Sequence, residues 1–274
     1  MTARVIAVCN QKGGVGKTTV VTLLAEAFAH VEGKKVLVID ADPQRNSTAA
    51  LGVQEPELTL NDVLYGDHEQ NQKIHPGIAR EAITSAGERW GADGHGDQAT
   101  TIDVIPAERE LASRELDNMM ARERRLKTAL KGVADDYDVV LIDCPPSLGL
   151  LTINALTAST HALLVSEPRV ASVEGLGEIV NTIEEVQEHL NDDLAIAGVV
   201  VNKVRKNRSD QDLWIGRVRE AFGDRVLEPL LPDREYFAKA QARSVPLSAF
   251  GSEGRIVRLD TARLAQKVWE ATAE

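Results

Sequence analysis

Residues 5–19 read Val5-Ile6-Ala7-Val8-Cys9-Asn10-Gln11-Lys12-Gly13-Gly14-Val15-Gly16-Lys17-Thr18-Thr19. A short apolar run, Val5 to Val8, leads into a glycine-rich loop. Beyond it Val20, Leu24, Phe28 and Val31 recur at the spacing of one helical face. Strand, glycine loop and helix in that order form a phosphate cradle. The glycines let backbone N–H groups close around phosphate oxygens, and the helix N-terminus adds partial positive charge. Gly13, Gly14, Val15, Gly16, Lys17, Thr18 and Thr19 are the candidate cradle. Lys17 is placed to reach the β- and γ-phosphates, and the Thr18 hydroxyl to ligate Mg2+. The usual pattern G-x-x-x-x-G-K-[ST] is departed from at one end, where Gln11 holds the first glycine position and a second lysine, Lys12, follows it.

The same strand-and-helix rhythm runs along the 274 residues. Apolar runs at Val36–Ile39, Ile102–Ile105, Val139–Ile142, Ala162–Val165 and Ile196–Val201 are continuous rather than alternating, as in parallel strands covered on both faces. Ile179, Ile183, Val186 and Leu190 mark one of the helices between them. The expected fold class is therefore α/β: one domain over residues 1–274, with a mostly parallel twisted sheet flanked by helices on both faces. The polar stretch Gln54 to Ala99 breaks the rhythm and reads as a surface excursion, with 85–99, rich in Gly, Asp and His, as a mobile loop.

Composition excludes several classes. No apolar run approaches the roughly 18–20 residues of a membrane span, and the first residues lack the pattern of a signal peptide, so a cytoplasmic protein is expected. Cys9 and Cys144 make no disulfide framework and cannot alone fill a zinc site; both read as small buried thiols. The histidines, His30, His68, His75, His95, His161 and His189, lack ligand spacing and read as surface or helix-end residues. The net charge is −11, yet Lys203 to Lys267 carries 14 Lys/Arg against 9 Asp/Glu. A basic C-terminal third on an acidic body is a possible anion-binding face.

Two further strand ends carry carboxylates. Val38-Ile39-Asp40-Ala41-Asp42-Pro43-Gln44 and Val139-Val140-Leu141-Ile142-Asp143-Cys144-Pro145-Pro146-Ser147 both put Asp at the carboxyl end of a parallel strand, where open α/β sheets bind ligands. Gly198-Val199-Val200-Val201-Asn202-Lys203 ends a third, and an Asn amide there has the donor and acceptor needed for adenine N6 and N7.

Together, Lys12-Gly13-Gly14-Val15-Gly16-Lys17-Thr18, the D-x-D-P-Q segment and the apolar-D-x-P-P segment resemble the deviant Walker A P-loop ATPases of the ParA/MinD superfamily, over Val5 to about Phe250. The resemblance implies an ATP- and Mg2+-dependent ATPase that forms a homodimer. By it Lys12 crosses to the phosphates bound by the other chain, Lys17 and Asp42 serve hydrolysis, and Asp42 positions the attacking water. Thr18, Asp40 and Asp143 serve the hydrated Mg2+. Asn202, with Pro232 and Asp233 of Leu230-Leu231-Pro232-Asp233, lies on the adenine side. A nitrogenase iron-protein relative would need cysteines placed for a shared cluster, and Cys9, ahead of the loop, cannot serve.

Within the superfamily the sequence is most similar to small ParA/Soj-type partition proteins without a helix-turn-helix domain. That branch implies an ATP dimer on non-specific double-stranded DNA, nucleoid association, and slow hydrolysis stimulated by a ParB-type centromere-binding partner. Arg205, Lys206 and Arg208 are the first candidates for the DNA face, with Arg217, Arg219 and Arg243 behind them. Alternatives are a ParA-like ATPase that positions a protein cargo over the nucleoid and a MinD-like membrane-binding division-site regulator. Against the last, the end of the chain, 255–274, finishes acidic and reads as a helix packed on the body, so no membrane partner is expected.

Overall fold

The computed structural model describes residues 3–66, 73–91, 102–205 and 208–273. In chain order its strands are β1 (Arg4–Cys9), β2 (Val36–Asp40), β3 (Thr84–Ser85), β4 (Ile102–Ile105), β5 (Val139–Asp143), β6 (His161–Ser166), β7 (Ala195–Val201) and β8 (Val226–Leu227). The helices are α1 (Lys17–Glu26), α2 (Asn46–Ala50), α3 (Leu60–Tyr65), α4 (Arg125–Ala129), α5 (Leu150–Ala158), α6 (Val170–His189), α7 (Ser209–Phe222), α8 (Glu235–Arg243) and α9 (Gly251–Ala271). The strands form one sheet in the order β3-β4-β2-β5-β1-β6-β7-β8. Every pairing is parallel except that of β3 with β4. This is the single α/β domain expected from the sequence.

Residue alternation sorts the core into two faces. In β1 Val5, Ala7 and Cys9 join one apolar cluster, with buried side chains of α3, α4, α5, α6 and α7. Ile6 and Val8 join the other, with α1, α8 and α9. Both sides of the inner strands are therefore dry, which is why their sequences run apolar without alternation. Both thiols are buried, and burial pushes Cys9 up to about 12 and Cys144 well above its ordinary value.

Several sequence expectations need correcting. Val31 does not share the buried face of Val20, Leu24 and Phe28. Ala27–Val31 is a π-helical turn, whose wider winding takes the side chain out of the stripe, and Val31 is 52% exposed. The excursion from Gln54 is not all surface. Leu60, Val63 and Leu64 of α3 are buried, Ala79 and Ala82 pack beneath them, and Trp90 is buried with its indole N–H donating to Ala50 O at 3.0 Å. Ser85 belongs to β3; the rest of that expected loop from 92 to 99 lies outside the described residues, as do His68 and His95. His161 is not a surface histidine: it opens β6, is buried, and burial aided by Arg4 lowers its pKa.

The C-terminal helix α9 buries Val257, Leu264, Ala265 and Val268 on the body. Trp269 anchors its end, with the Arg4 guanidinium 3.2 Å and the Lys34 ammonium 3.7 Å from the ring centroid. Glu26, at the end of α1, is buried and accepts from Leu247 N at 2.7 Å and Ser248 N at 2.9 Å, with Arg258 Nε of α9 at 3.6 Å. Glu26→Ala leaves two inward N–H groups without an acceptor and Arg258 without its counter-ion. It is expected to cost roughly 3 kcal/mol, read as a lower urea midpoint, with α9 the first element to lose amide-exchange protection.

Candidate functional site

The parallel strands end on one edge, and four of those ends carry the candidate residues. β1 runs into the glycine loop and then α1, β2 ends on Asp40, β5 on Asp143, and Asn202 follows β7. β1 lies between β5 and β6 although it precedes both in the chain, and the chain turns away on either side of it. A crevice at the carboxyl ends of the strands follows from that reversal.

The loop is held from within. Lys17 is buried, and its Nζ donates to Asn10 O at 3.1 Å and Lys12 O at 3.4 Å, so the ammonium closes the loop over the start of α1. Gly16, ahead of α1, has φ +94°, and a Cβ there would lie 2.2 Å from Asn202 Nδ2. Only glycine serves both the backbone angle and the close approach. Asn202 Nδ2 donates to Val15 O at 3.0 Å, which ties the end of β7 to the loop, and Lys203 Nζ donates to Gly14 O.

Asp143 is fully buried and accepts at one oxygen, Oδ2, from Thr18 Oγ1 at 2.7 Å and Ser47 Oγ at 2.6 Å. Ser47, buried in α2, is a member of the site that sequence reading missed; its serine carries no motif of its own, and only the fold brings it to Asp143. Asp40 stands opposite Asp143 in the register of β2 and β5. Its Oδ2 accepts from Thr48 N at 2.8 Å and Thr48 Oγ1 at 2.7 Å, and its Oδ1 from Asp42 N at 3.1 Å. Asp40 therefore shapes the turn after β2 and does not line the cavity, whereas Asp42 does. Asp42 Oδ1 accepts from Gln44 N at 2.9 Å, an Asx turn that fixes its carboxylate.

Burial raises the pKa of both Asp40 and Asp143, and for Asp40 the charge of Asp143 adds to the effect. The two buried carboxylates stand side by side at the ends of β2 and β5. Asp143 Oδ1 is buried with no protein partner among the described residues. The described residues hold no cluster of three or more His, Cys, Asp or Glu that would cage an ion. That combination suits Mg2+ in a nucleotide site, where one hydroxyl, water and phosphate oxygens supply most ligands, and a carboxylate acts beside them.

In front of these groups lies a cavity of about 630 Å3, walled by Gly13, Gly14, Gly16, Lys17, Thr18, Thr19, Asp42, Asn202 and Asp233 among others. Phe237 and Gln241 of α8 also line it, and neither was legible from a motif. Asn202 Oδ1 is a second buried polar atom of the site without a partner among the described residues. Val15 and Pro232 stand behind the wall: Val15 is fully buried, and Pro232 pairs with Val204 in a short bridge. A cavity of that size and lining, with backbone N–H groups at a helix start and the Asn202 amide beside them, accommodates a nucleoside triphosphate. Another cavity, about 650 Å3, lies away from the strand ends against α3 and Ile78–Ala82.

The residues expected on a DNA face are spread. Arg205 and Arg208 flank the start of α7, both exposed, and Arg205 Nε sits 2.6 Å from Asp233 Oδ2. Arg217 is exposed on α7 over the Trp214 ring, and Arg219 is paired to Glu228 at 2.6 Å. Arg243 ends α8 with its guanidinium 5.8 Å from the Phe250 ring centroid. Lys206 lies outside the described residues.

Comparison with known proteins agrees with this geometry. The model of the AAA domain family matches residues 3–196. The sporulation initiation inhibitor protein Soj of Bacillus subtilis is 36% identical over 269 residues, 95% of this chain and 97% of Soj. This chain is a ParA/Soj-family P-loop ATPase. The chromosome partitioning protein ParA of Caulobacter vibrioides is 35% identical over 250 residues, 89% of this ATPase and 86% of that ParA. Among solved structures, cobyrinic acid a,c-diamide synthase from Mycobacterium smegmatis with bound ADP and magnesium superposes with a TM-score of 0.77 at 28% identity, covering 98% of this ATPase and 96% of that chain. No helix among the described residues of the ATPase is long and apolar enough to cross a membrane.

Proposed function

We propose that this ParA/Soj-family ATPase is an ATP-driven dimerisation switch that binds non-specific DNA as a dimer, on the nucleoid, and hydrolyses ATP slowly until a ParB-type partner stimulates it. The observation that carries the reading is the contrast between its two loop lysines. Lys17 is buried and bonded within its own loop, whereas Lys12 is exposed and makes no ion pair among the described residues. A cation fixed at its backbone beside a phosphate cradle, yet free at its ammonium, suits the phosphates of a second chain. Charge stabilisation then arrives only when two chains meet, as with an arginine finger supplied in trans.

The remaining roles rest on the family resemblance, with the placement of the residues in support. Gly13, Gly14, Val15 and Gly16 present backbone N–H groups to the phosphates, with Thr18 and Thr19 at the start of α1. Asn202, Pro232 and Asp233 take the adenine side. Thr18 would hold Mg2+, which would supply positive charge to offset that of the phosphates; Asp143 orients the Thr18 hydroxyl and would hold one of the ion's waters, and Asp40 shapes the turn beside them. Asp42, fixed at the cavity wall, orients the water that attacks the γ-phosphate. Dimerisation doubles the phosphate contacts offered by Arg205 and Arg208, so DNA affinity follows nucleotide state through valence. The apolar residues Leu264 and Val268 of α9 are used against the body and are not offered to a lipid surface.

The test is fluorescence anisotropy of a non-specific duplex with ATP, ADP and no nucleotide at two salt concentrations. Binding is expected with ATP alone, weakened by salt, and Arg208→Ala should lower the salt slope by about one per chain. Equal binding in all three states removes the nucleotide control, and no binding in any state removes the DNA reading; either leaves the ATPase standing.

A further inference from the structure

Resting on the reading of Lys12 as the trans cation, we infer that Asn10 is a positioning residue for that lysine, and that Gly175 of α6 is the seat that allows it. Asn10 follows β1, is 1% exposed, and uses both ends of its amide. Its Nδ2 donates to Val165 O of β6 at 2.7 Å, and its Oδ1 accepts from Lys12 N at 2.7 Å. The backbone nitrogen of Lys12 is thereby tied through one buried amide to a central strand. Asn10 O and Lys12 O, on either side of that tie, are the two acceptors of Lys17 Nζ.

The amide cannot be exchanged for its nearest isostere. One end must donate to a carbonyl while the other accepts from an N–H, which Asn does and Asp cannot. An aspartate would set an oxygen against Val165 O and bury a charge there. The space is equally specified. A Cβ on Gly175 would fall 3.0 Å from Asn10 Oδ1 and 3.8 Å from Lys12 N and Cβ, and Gly175 is itself buried in α6. α6 is rigidly backed, since Leu176, Ile179, Ile183 and Val186 are buried against the sheet. The loop start is thus held between β6 and α6, with the Lys12 side chain exposed beyond it. Holding the backbone of Lys12 in place in advance lowers the entropy cost of forming the trans contact.

Cis and trans roles separate in the test. Full-length Asn10→Asp, Gly175→Ala, Lys12→Ala and Asn10→Asp/Lys12→Ala are compared by ATP binding to the single chain, sedimentation with ATP, and phosphate release as protein concentration rises. Asn10→Asp is expected to lower dimer-dependent turnover by about 100-fold, with Gly175→Ala smaller in the same direction. Affinity of the single chain for ATP should change far less than turnover, and the double variant should be no slower than Lys12→Ala, because both changes remove one contact. If the two losses multiply, or if Asn10→Asp and Gly175→Ala weaken ATP binding as much as turnover, the residue shapes the whole loop and the inference fails. If Lys12→Ala alone leaves turnover and dimerisation intact, the trans reading itself is what fails. Should Asn10→Asp not fold, the same comparisons with Gly175→Ala decide.

Discussion

Lys12→Ala is expected to lower ATP turnover by about 1000-fold or more, the scale of a trans cation in phosphoryl transfer, while the single chain still folds and binds ATP. The fold has little to lose: Lys12 is exposed, its backbone tie to Asn10 does not involve its side chain, and exposed substitutions of this kind stay within about 0.5 kcal/mol. ATP binding by the single chain rests on Lys17, Thr18 and the loop N–H groups, which the change leaves in place. Phosphate release against protein concentration is the measurement. Wild-type specific activity should rise as dimers form, and the variant's should stay flat. A variant that rises like the wild type would place Lys12 in its own site or in none.

Gly16→Ala is expected to abolish useful nucleotide binding and also to weaken the fold. The φ of +94° strains any residue with a Cβ, by about 1–2 kcal/mol, and the added carbon would overlap Asn202 Nδ2 at 2.2 Å. Asn202 cannot yield freely, because it is buried and bonded to Val15 O at 3.0 Å. The collision therefore opens the phosphate loop and the adenine side together, and affinity for ATP should fall by about 100-fold or more. Gly14→Ala is the control. Its φ is +81° but nothing lies within 4 Å of the added Cβ, so without nucleotide it should cost backbone strain alone. Calorimetric titration with ATP and a urea midpoint for each variant separate the two effects. Equal losses of urea midpoint for Gly14→Ala and Gly16→Ala without nucleotide would show that the approach to Asn202 does not matter.

The inner sheet and the phosphate loop were legible because their physics is local. Continuous apolar runs announce strands covered on both faces, and glycines between a strand and a helix announce a cradle. Asp40, Asp143 and Asn202 were legible because they end such runs. What escaped depends on contacts between distant segments. Ser47 reaches Asp143 across 96 positions, and Glu26 reaches Leu247 across 221, with nothing in either neighbourhood to mark them. Val31 was misplaced because a π-turn alters the helical period that the spacing assumes. α3 escaped because six residues flanked by polar sequence give too short a period to read, although its Thr59 and Asp62 form a capping box. Asp40 shows the limit of residue type: its position in the sequence suits a metal, yet its oxygens hold Thr48 and Asp42.

The most direct test of the switch is analytical ultracentrifugation of the full chain with Mg2+ and no nucleotide, ADP, or ATP in a variant with Asp42→Ala to slow its hydrolysis. The expected result is the mass of one chain, 29.8 kDa, without nucleotide and with ADP, and of two chains with ATP. A single mass in all three conditions would contradict the claim that ATP brings two chains together.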